Sequence, residues 1–252
     1  MLDRLDPTGR FSNRADDYAK HRPSYPDAAI DAILQGLTAP PDLVAADVGA
    51  GTGISARALA SRGVRVLALE PNSEMRRAAP PDPRVEWLDA TGEKTGLADA
   101  SVDLVLCAQS FHWLDFGLAY EEFHRILRLA GRLALIWNYT DDTDPYSAAY
   151  RALVRAAALE ELDAIGRIMS DFRIDSPRFV GARISSFRHE QPLDVEGLLG
   201  RAASASYVPK SGPRHDALVG GLRSLHARFA DSRGLCRLLY ETRVHLADPV
   251  PY

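Results

Sequence analysis

Cysteine, surplus positive charge and long apolar runs are all scarce in this chain, and each shortage narrows what it can be. Only Cys107 and Cys236 occur among 252 residues, too few for a disulfide framework. Cys107 lies in an apolar, strand-like run that suits a buried free thiol in a reducing compartment. Lys and Arg total 30 against 34 Asp and Glu, a net charge of −4, and the isoelectric point is near 6.0. That balance lacks the basic excess by which general nucleic-acid or membrane-surface binders work. No apolar run approaches the roughly 18 residues of a membrane span, and Met1-Leu2-Asp3-Arg4 lacks the apolar centre of a signal peptide. No His, Cys or carboxylate cluster has metal-ligand spacing. The expectation is a cytoplasmic protein acting on a small-molecule substrate, with no nucleic acid, no membrane and no metal; the oligomeric state is not legible.

What is present is a chain with 46% apolar content, enough to build one large α/β domain with a lid or cap. Its centre is Asp47-Val48-Gly49-Ala50-Gly51-Thr52-Gly53, after the apolar run Leu43 to Ala46 and before a helical run from Ile54 to Arg62. Strand, tight turn and helix start in that order suit a nucleotide-like ligand, because glycine takes positive φ and lets the backbone approach closely. The dinucleotide pattern G-x-G-x-x-G would place its third glycine at position 54. That position is Ile54, and the third glycine is Gly53.

In chain order, Asp27 to Leu37 carries apolar residues at helical spacing. Strand-like runs follow at 64–69, 84–89, 102–108 and 132–137. An amphipathic helix is expected over 116–130, stopped by Gly131. The C-terminal part reads as a helix from Tyr146 to about Ile168, a strand at 183–188, a helical region over 195–229 broken near Pro209 to Pro213, and a last long strand at 235–246. Apolar strands alternating with helices make a mostly parallel sheet covered on both faces, and residues 109–113, at the exit of the fourth strand, should line the ligand crevice.

The Asp-x-Gly-x-Gly-x-Gly turn after a first strand resembles motif I of the class I S-adenosylmethionine-dependent methyltransferases. Residues 11–26, with Tyr18, Arg22, Pro23, Tyr25 and Pro26, resemble the Tyr-x-x-x-Arg-Pro-x-Tyr-Pro element that precedes the core in one subgroup. The closest likeness is to type 11-like enzymes and the trans-aconitate methyltransferases. The resemblance implies a Rossmann-like seven-stranded, mostly parallel sheet with helices on both faces, a final antiparallel strand and a helical cap. A lid and first helix would occupy residues 1–40, the cofactor-binding core 41–139, and the last strands with the substrate cap 140–252.

It also implies a cofactor, S-adenosyl-L-methionine, and a set of residues to hold it. Asp47, Gly49, Ala50, Gly51 and Gly53 come from the turn. Glu70, at the end of the second strand, would accept from both ribose hydroxyls. Asp89 would accept from the adenine amino group, with the backbone of Ala90 meeting the ring. Met75 suits an adenine face or the core. Gln109 would line the crevice, and Tyr18 and Arg22 would cover the methionyl end. His112 is the candidate general base or an orienting residue, with Tyr139 behind it. The expected function is methyl transfer to a small acceptor, a carboxylate being favoured. Two alternatives remain: a protein that binds S-adenosylmethionine without methyl transfer, and a nicotinamide-dependent oxidoreductase.

Overall fold

The computed structural model describes residues 14–158 and 172–251. Seven strands form one sheet in the order β3-β2-β1-β4-β5-β7-β6: β1 Val44–Val48, β2 Arg65–Leu69, β3 Val85–Leu88, β4 Val102–Ala108, β5 Leu127–Thr140, β6 Phe179–Leu193 and β7 Cys236–Pro249. The first five are parallel. β7 inserts antiparallel between β5 and β6.

The central strands read as continuous apolar runs because both their faces are buried. Alternate residues serve opposite layers. Ala45, Leu104 and Leu106 face one layer with Ile30 and Ile33 of α2 (Asp27–Leu34) and Leu59 of α3 (Ile54–Ala60). Ala46, Val105 and Cys107 face the other, with Phe123 and Ile126 of α5 (Phe116–Ile126). Two short helices complete this part of the chain: α1 (Ala15–His21), which precedes the core, and α4 (Ser73–Arg77), which follows β2.

A third apolar cluster forms the cap from α6 (Pro145–Ala157), α7 (Val195–Ala203), α8 (Pro213–Phe229) and the start of β7. Tyr146, Tyr150, Leu198, Leu222, Leu238 and Tyr240 meet there. Among the described residues no helix is long and apolar enough to cross a membrane.

Three boundaries depart from the sequence reading. The helix expected to reach Ala130 ends at Ile126, and β5 starts at Leu127. Leu127 pairs with Val102 across a register shift. Gly131 then passes so close to the neighbouring backbone that a Cβ would stand 2.8 Å from the Asp103 carbonyl oxygen, so the glycine serves strand packing and is not a helix stop. β6 runs from Phe179 to Leu193, well beyond the expected six residues. It is an edge strand, mostly exposed, so its ends carry little apolar signal. The helix expected to reach Ile168 is described to Ala157, and the remainder lies outside the described residues, as do residues 11–13 of the N-terminal element.

Candidate functional site

The carboxyl ends of β1, β2 and β4 open on one cleft, as the parallel topology requires of a crevice at the strand exits. It is lined by Tyr18, Gly49, Gly51, Glu70, Pro71, Asn72, Met75, Ala90, Thr91, Gly92, Glu93, Ala108, Gln109, Ser110, Trp113 and Leu114 and encloses about 830 Å³ of space including its mouth. A smaller polar recess shares Tyr18, Gly49, Ala108 and Gln109 with it and adds Arg22, Pro23, Tyr25, Ala50, Ile54, Ser55 and Asn138.

The glycine turn is built around an acid. Glu70 is 8% exposed; its Oε2 accepts the Gly51 amide and its Oε1 the Asn72 amide, each at 2.8 Å. Asn72 caps α4 by accepting from the Glu74 and Met75 amides at 2.9 and 3.2 Å, which fixes the turn that returns its own N–H to Glu70. Burial raises the Glu70 carboxyl above its ordinary range, against the opposing pull of the two amides. Each carboxylate oxygen keeps acceptor capacity toward the cleft.

Gly49, Gly51 and Gly53 all have left-handed φ, +66°, +58° and +76°. A Cβ on Gly51 would stand 3.3 Å from Met75 Cε and 3.8 Å from Tyr18 Cε1, both cleft-lining residues, so the bare glycine keeps that part of the cleft open. A Cβ on Gly49 would lie 2.6 Å from Ser110 Cβ, and the Ser110 hydroxyl is tied to the Val48 carbonyl at 2.5 Å.

Four amides of the turn are already engaged within the protein. Gly49 and Ala50 donate to the Leu69 carbonyl at 2.8 and 3.0 Å, Gly53 donates to Ala50 at 2.8 Å, and Gly51 is taken by Glu70. A pyrophosphate needs such amides. A ligand that offers hydroxyls to Glu70 does not.

The other sequence candidates divide. Met75, 3% exposed, lines the cleft beside Gly51. Ala90 and Gln109 also line it, and Gln109 adopts φ +60°, a conformation uncommon outside glycine that often marks a functional turn. Tyr18 lies under the Arg22 guanidinium, 4.7 Å from ring centroid to Cζ. Arg22 donates to the Ser204 carbonyl at 3.2 Å, while its buried Nε has no partner.

Four candidates lie elsewhere. Asp47 is fully buried beneath the turn, where its Oδ2 accepts the Ser55 hydroxyl at 2.6 Å; burial first, and Glu70 nearby, push its carboxyl up to about 7. It shapes the turn from below. Gly53 is the left-handed residue before α3, and a Cβ there would meet Trp87 at 3.0 Å, outside the cleft lining. The Asp89 side chain is 70% exposed, is not among the residues lining the cleft and is paired at 2.9 Å with Arg76, which also donates to the Glu70 carbonyl. His112 lies on the short helical turn Phe111–Trp113, outside the lining of both cavities. Its Nδ1 is 3.5 Å from Trp137 Nε1, and its ring lies tilted at 45° to that of Trp113, centroids 4.7 Å apart.

Sequence reasoning missed Asn72, the 91–93 stretch and Leu114. The Asn-Ser-Glu capping signal could have found Asn72. Gly92, whose Cβ would lie 2.6 Å from Leu114 Cδ1, carries no local signal.

Residues 46–135 match the model of a methyltransferase domain. The methyltransferase-domain match covers β1 through most of β5, the part that carries the cleft. An uncharacterized methyltransferase of Mycobacterium tuberculosis is 41% identical over 142 residues, 55% of this chain and 56% of the relative. An uncharacterized methyltransferase-like protein of Schizosaccharomyces pombe is 32% identical over 172 residues, 68% of this chain and 61% of the relative. The chain thus spans less than two thirds of the length of these relatives. Among solved structures, a protein of Anaeromyxobacter dehalogenans provisionally described as a type II methyltransferase superposes with a TM-score of 0.67 at 24% identity, covering 92% of this chain and 99% of that one. The fold is the Rossmann-like one of methyltransferases.

Proposed function

We propose that the protein is an enzyme, an S-adenosylmethionine-dependent methyltransferase that acts on a small molecule. The observation that carries the reading is the cleft-facing Glu70, held by the Gly51 and Asn72 amides beside a turn in which the Gly49, Ala50, Gly51 and Gly53 amides are already engaged. A ribose diol finds a carboxylate acceptor there, and the Gly49, Ala50, Gly51 and Gly53 amides are not available to a pyrophosphate, which, with Ile54 in place of the third glycine of the dinucleotide pattern, counts against the nicotinamide alternative. Met75 and Leu114 offer apolar walls for a base. Tyr18 covers the turn, and Arg22, with its unpartnered Nε in the adjoining recess, suits the carboxylate of an amino-acid tail.

When bound, S-adenosylmethionine supplies a methyl group on a positively charged sulfur, ready for displacement by a nucleophile. The chain's task is then orientation and exclusion of water. Positioning of that kind is worth on the order of 7 kcal/mol or more in favourable cases. With His112 outside the cleft, an acceptor already ionised at neutral pH needs no base from the protein, and a carboxylate fulfils that condition. Residues 140–252 form the substrate side, with residues 1–40 as lid, and the likeness to the trans-aconitate subgroup belongs to this proposal through its Tyr18 to Pro26 element.

The test is calorimetric titration with S-adenosylhomocysteine and NAD in parallel, followed by radiolabelled methyl transfer to small acids, phenols and amines. Binding of NAD alone refutes the reading. Cofactor binding without transfer to any acceptor class leaves the non-catalytic binder as the better account.

A further inference from the structure

A second cavity lies at the β7–β6 side of the sheet. Its walls include Arg173 and Ile174, which precede β6, Ala182, Arg183 and Ile184 of β6, and His245 of β7. It shares no lining residue with the cleft or with the recess beside the glycine turn.

His245 is 3% exposed, and neither of its ring nitrogens has a hydrogen-bond partner among the described residues. Buried polar side-chain atoms are nearly always partnered in folded proteins, so two orphans on one ring require a reason. The ring is wedged in place. Trp137 meets it edge to face with centroids 5.4 Å apart and planes at 89°, and Phe172 does so at 5.8 Å and 66°. Burial, and then the charges of Arg173 and Arg243, hold the imidazole at about 4, below its ordinary range. At neutral pH it is therefore uncharged and has one N–H to donate.

Arg173 supplies the charge. Its Nη1 donates to the Phe172 carbonyl at 2.8 Å, and among the described residues it enters no ion pair. The other arginine of the lining is already matched, because Arg183 gives Nη1 and Nη2 to the two carboxylate oxygens of Asp248 at 2.9 and 3.2 Å. Ile184 stands directly opposite His245 in the antiparallel pairing, and residues so paired share a face of the sheet. Ile184 is 40% exposed, an apolar side chain beside an unsatisfied imidazole.

The cavity thus joins apolar walls to one guanidinium without a carboxylate and one ring donor without an acceptor. A few convergent polar groups among apolar walls are how small-molecule sites are built. One cation and one neutral donor suit the two oxygens and single charge of a carboxylate; a phosphate dianion normally gathers more cations or a set of backbone amides.

We propose that this cavity binds a small monocarboxylic acid with an apolar body, its carboxylate held by Arg173 and the His245 ring and its body laid on Ile174, Ala182 and Ile184. The site is separate from the cleft and stands whichever cofactor the cleft takes.

Calorimetric titration of the full chain with benzoate, isovalerate and octanoate, each against its amide, tests it, with phenyl phosphate as a further probe. At least one acid should bind about tenfold or more tightly than its amide, and Arg173→Gln, His245→Phe and Ile184→Asp should each erase most of that preference. All three variants should keep the wild-type affinity for S-adenosylhomocysteine. His245→Phe should melt no lower than the wild type, since an apolar ring replaces a buried polar one that had no partner. If that variant fails to fold, Arg173→Gln and Ile184→Asp, both at exposed positions, still decide. Acids that bind no better than their amides overturn the proposal. An acid preference that survives in Arg173→Gln and Ile184→Asp also overturns it, and places the acid in the cleft instead. Phenyl phosphate outcompeting every acid overturns it in favour of a phosphate site.

Discussion

The Oε2 of Glu70 accepts the backbone N–H of Gly51 at 2.8 Å, so the residue assigned to the ribose also holds the turn beneath it. Replacing Glu70 with Ala removes an acceptor from the ligand and leaves two buried amides with nothing to bond. The loss in S-adenosylhomocysteine affinity should be on the order of 1.5–3 kcal/mol, and the melting temperature should fall as well. Glu70→Gln, which keeps an acceptor oxygen for one amide, should recover part of the stability but less of the affinity. Calorimetry and thermal unfolding together check this; an unchanged dissociation constant in both variants removes Glu70 from the site.

Asp89 provides the contrast. Its exposed pair with Arg76 is worth at most about 1 kcal/mol, and it is not among the residues that line the cleft. Asp89→Ala should leave S-adenosylhomocysteine binding within about twofold. A tenfold loss would mean that the carboxylate swings inward on binding.

Gly51→Ala should separate folding from binding. The left-handed φ of +58° costs an L-residue about 1–2 kcal/mol, and the new Cβ meets the flexible end of Met75 at 3.3 Å, which can move. The variant should therefore fold, with S-adenosylhomocysteine affinity reduced more than the strain alone explains, because Met75 must shift into the cleft. Gly49→Ala, with its Cβ 2.6 Å from the tethered Ser110, should instead impair folding first. Urea titrations beside ligand titrations distinguish the two.

Asp47 makes a prediction about pH. Its carboxyl rises from its ordinary 3.8 to about 7 in the fold, so between those values the folded protein holds a proton that the unfolded chain has released. Stability should fall as pH rises through that window, by at most about 4 kcal/mol, and level off above it. His245, lowered from 6.5 to about 4, first by burial and then by the charges of Arg173 and Arg243, acts with the opposite sign over part of the same range. The difference between wild type and Asp47→Asn isolates the carboxyl: the variant's relative stability should grow from pH 4 to 7. A flat difference across denaturation curves contradicts the raised value.

For a carboxylate acceptor, turnover should not titrate near the pKa of an imidazole, and His112→Phe should leave the pH profile of methyl transfer unchanged. A rise in rate with pH that disappears in His112→Phe would restore His112 as a base and point to a protonated acceptor such as a phenol.

Much of the core was legible because its signals are local. β4 is a strand over Val102–Ala108, a stretch apolar but for Asp103, whose carboxylate is partnered by the Val44 amide and Arg128, as a strand buried on both faces requires of a polar position. The break near Pro209 to Pro213 likewise falls between α7 and α8. The acids were harder. Glu70 and Asp89 both end parallel strands, and only the fold shows that the Pro71-Asn72 turn returns an amide to the first while Arg76 pairs with the second. The spent amides of the glycine turn also depend on Leu69 and Glu70, which belong to a different strand end.

The position of β7 sets an order of assembly. β6 has β7 as its neighbour in the sheet, and β7 is made later than every other strand. The sheet from β3 to β5 can close on itself through neighbouring parallel crossovers while the chain is still emerging from the ribosome; β6 and the cap helices packed on β7 must wait. A nascent chain stalled before Cys236 should therefore already bury the core around Leu104 and Phe123 yet leave the cap open to protease. The cleft would exist before the surface that chooses what enters it.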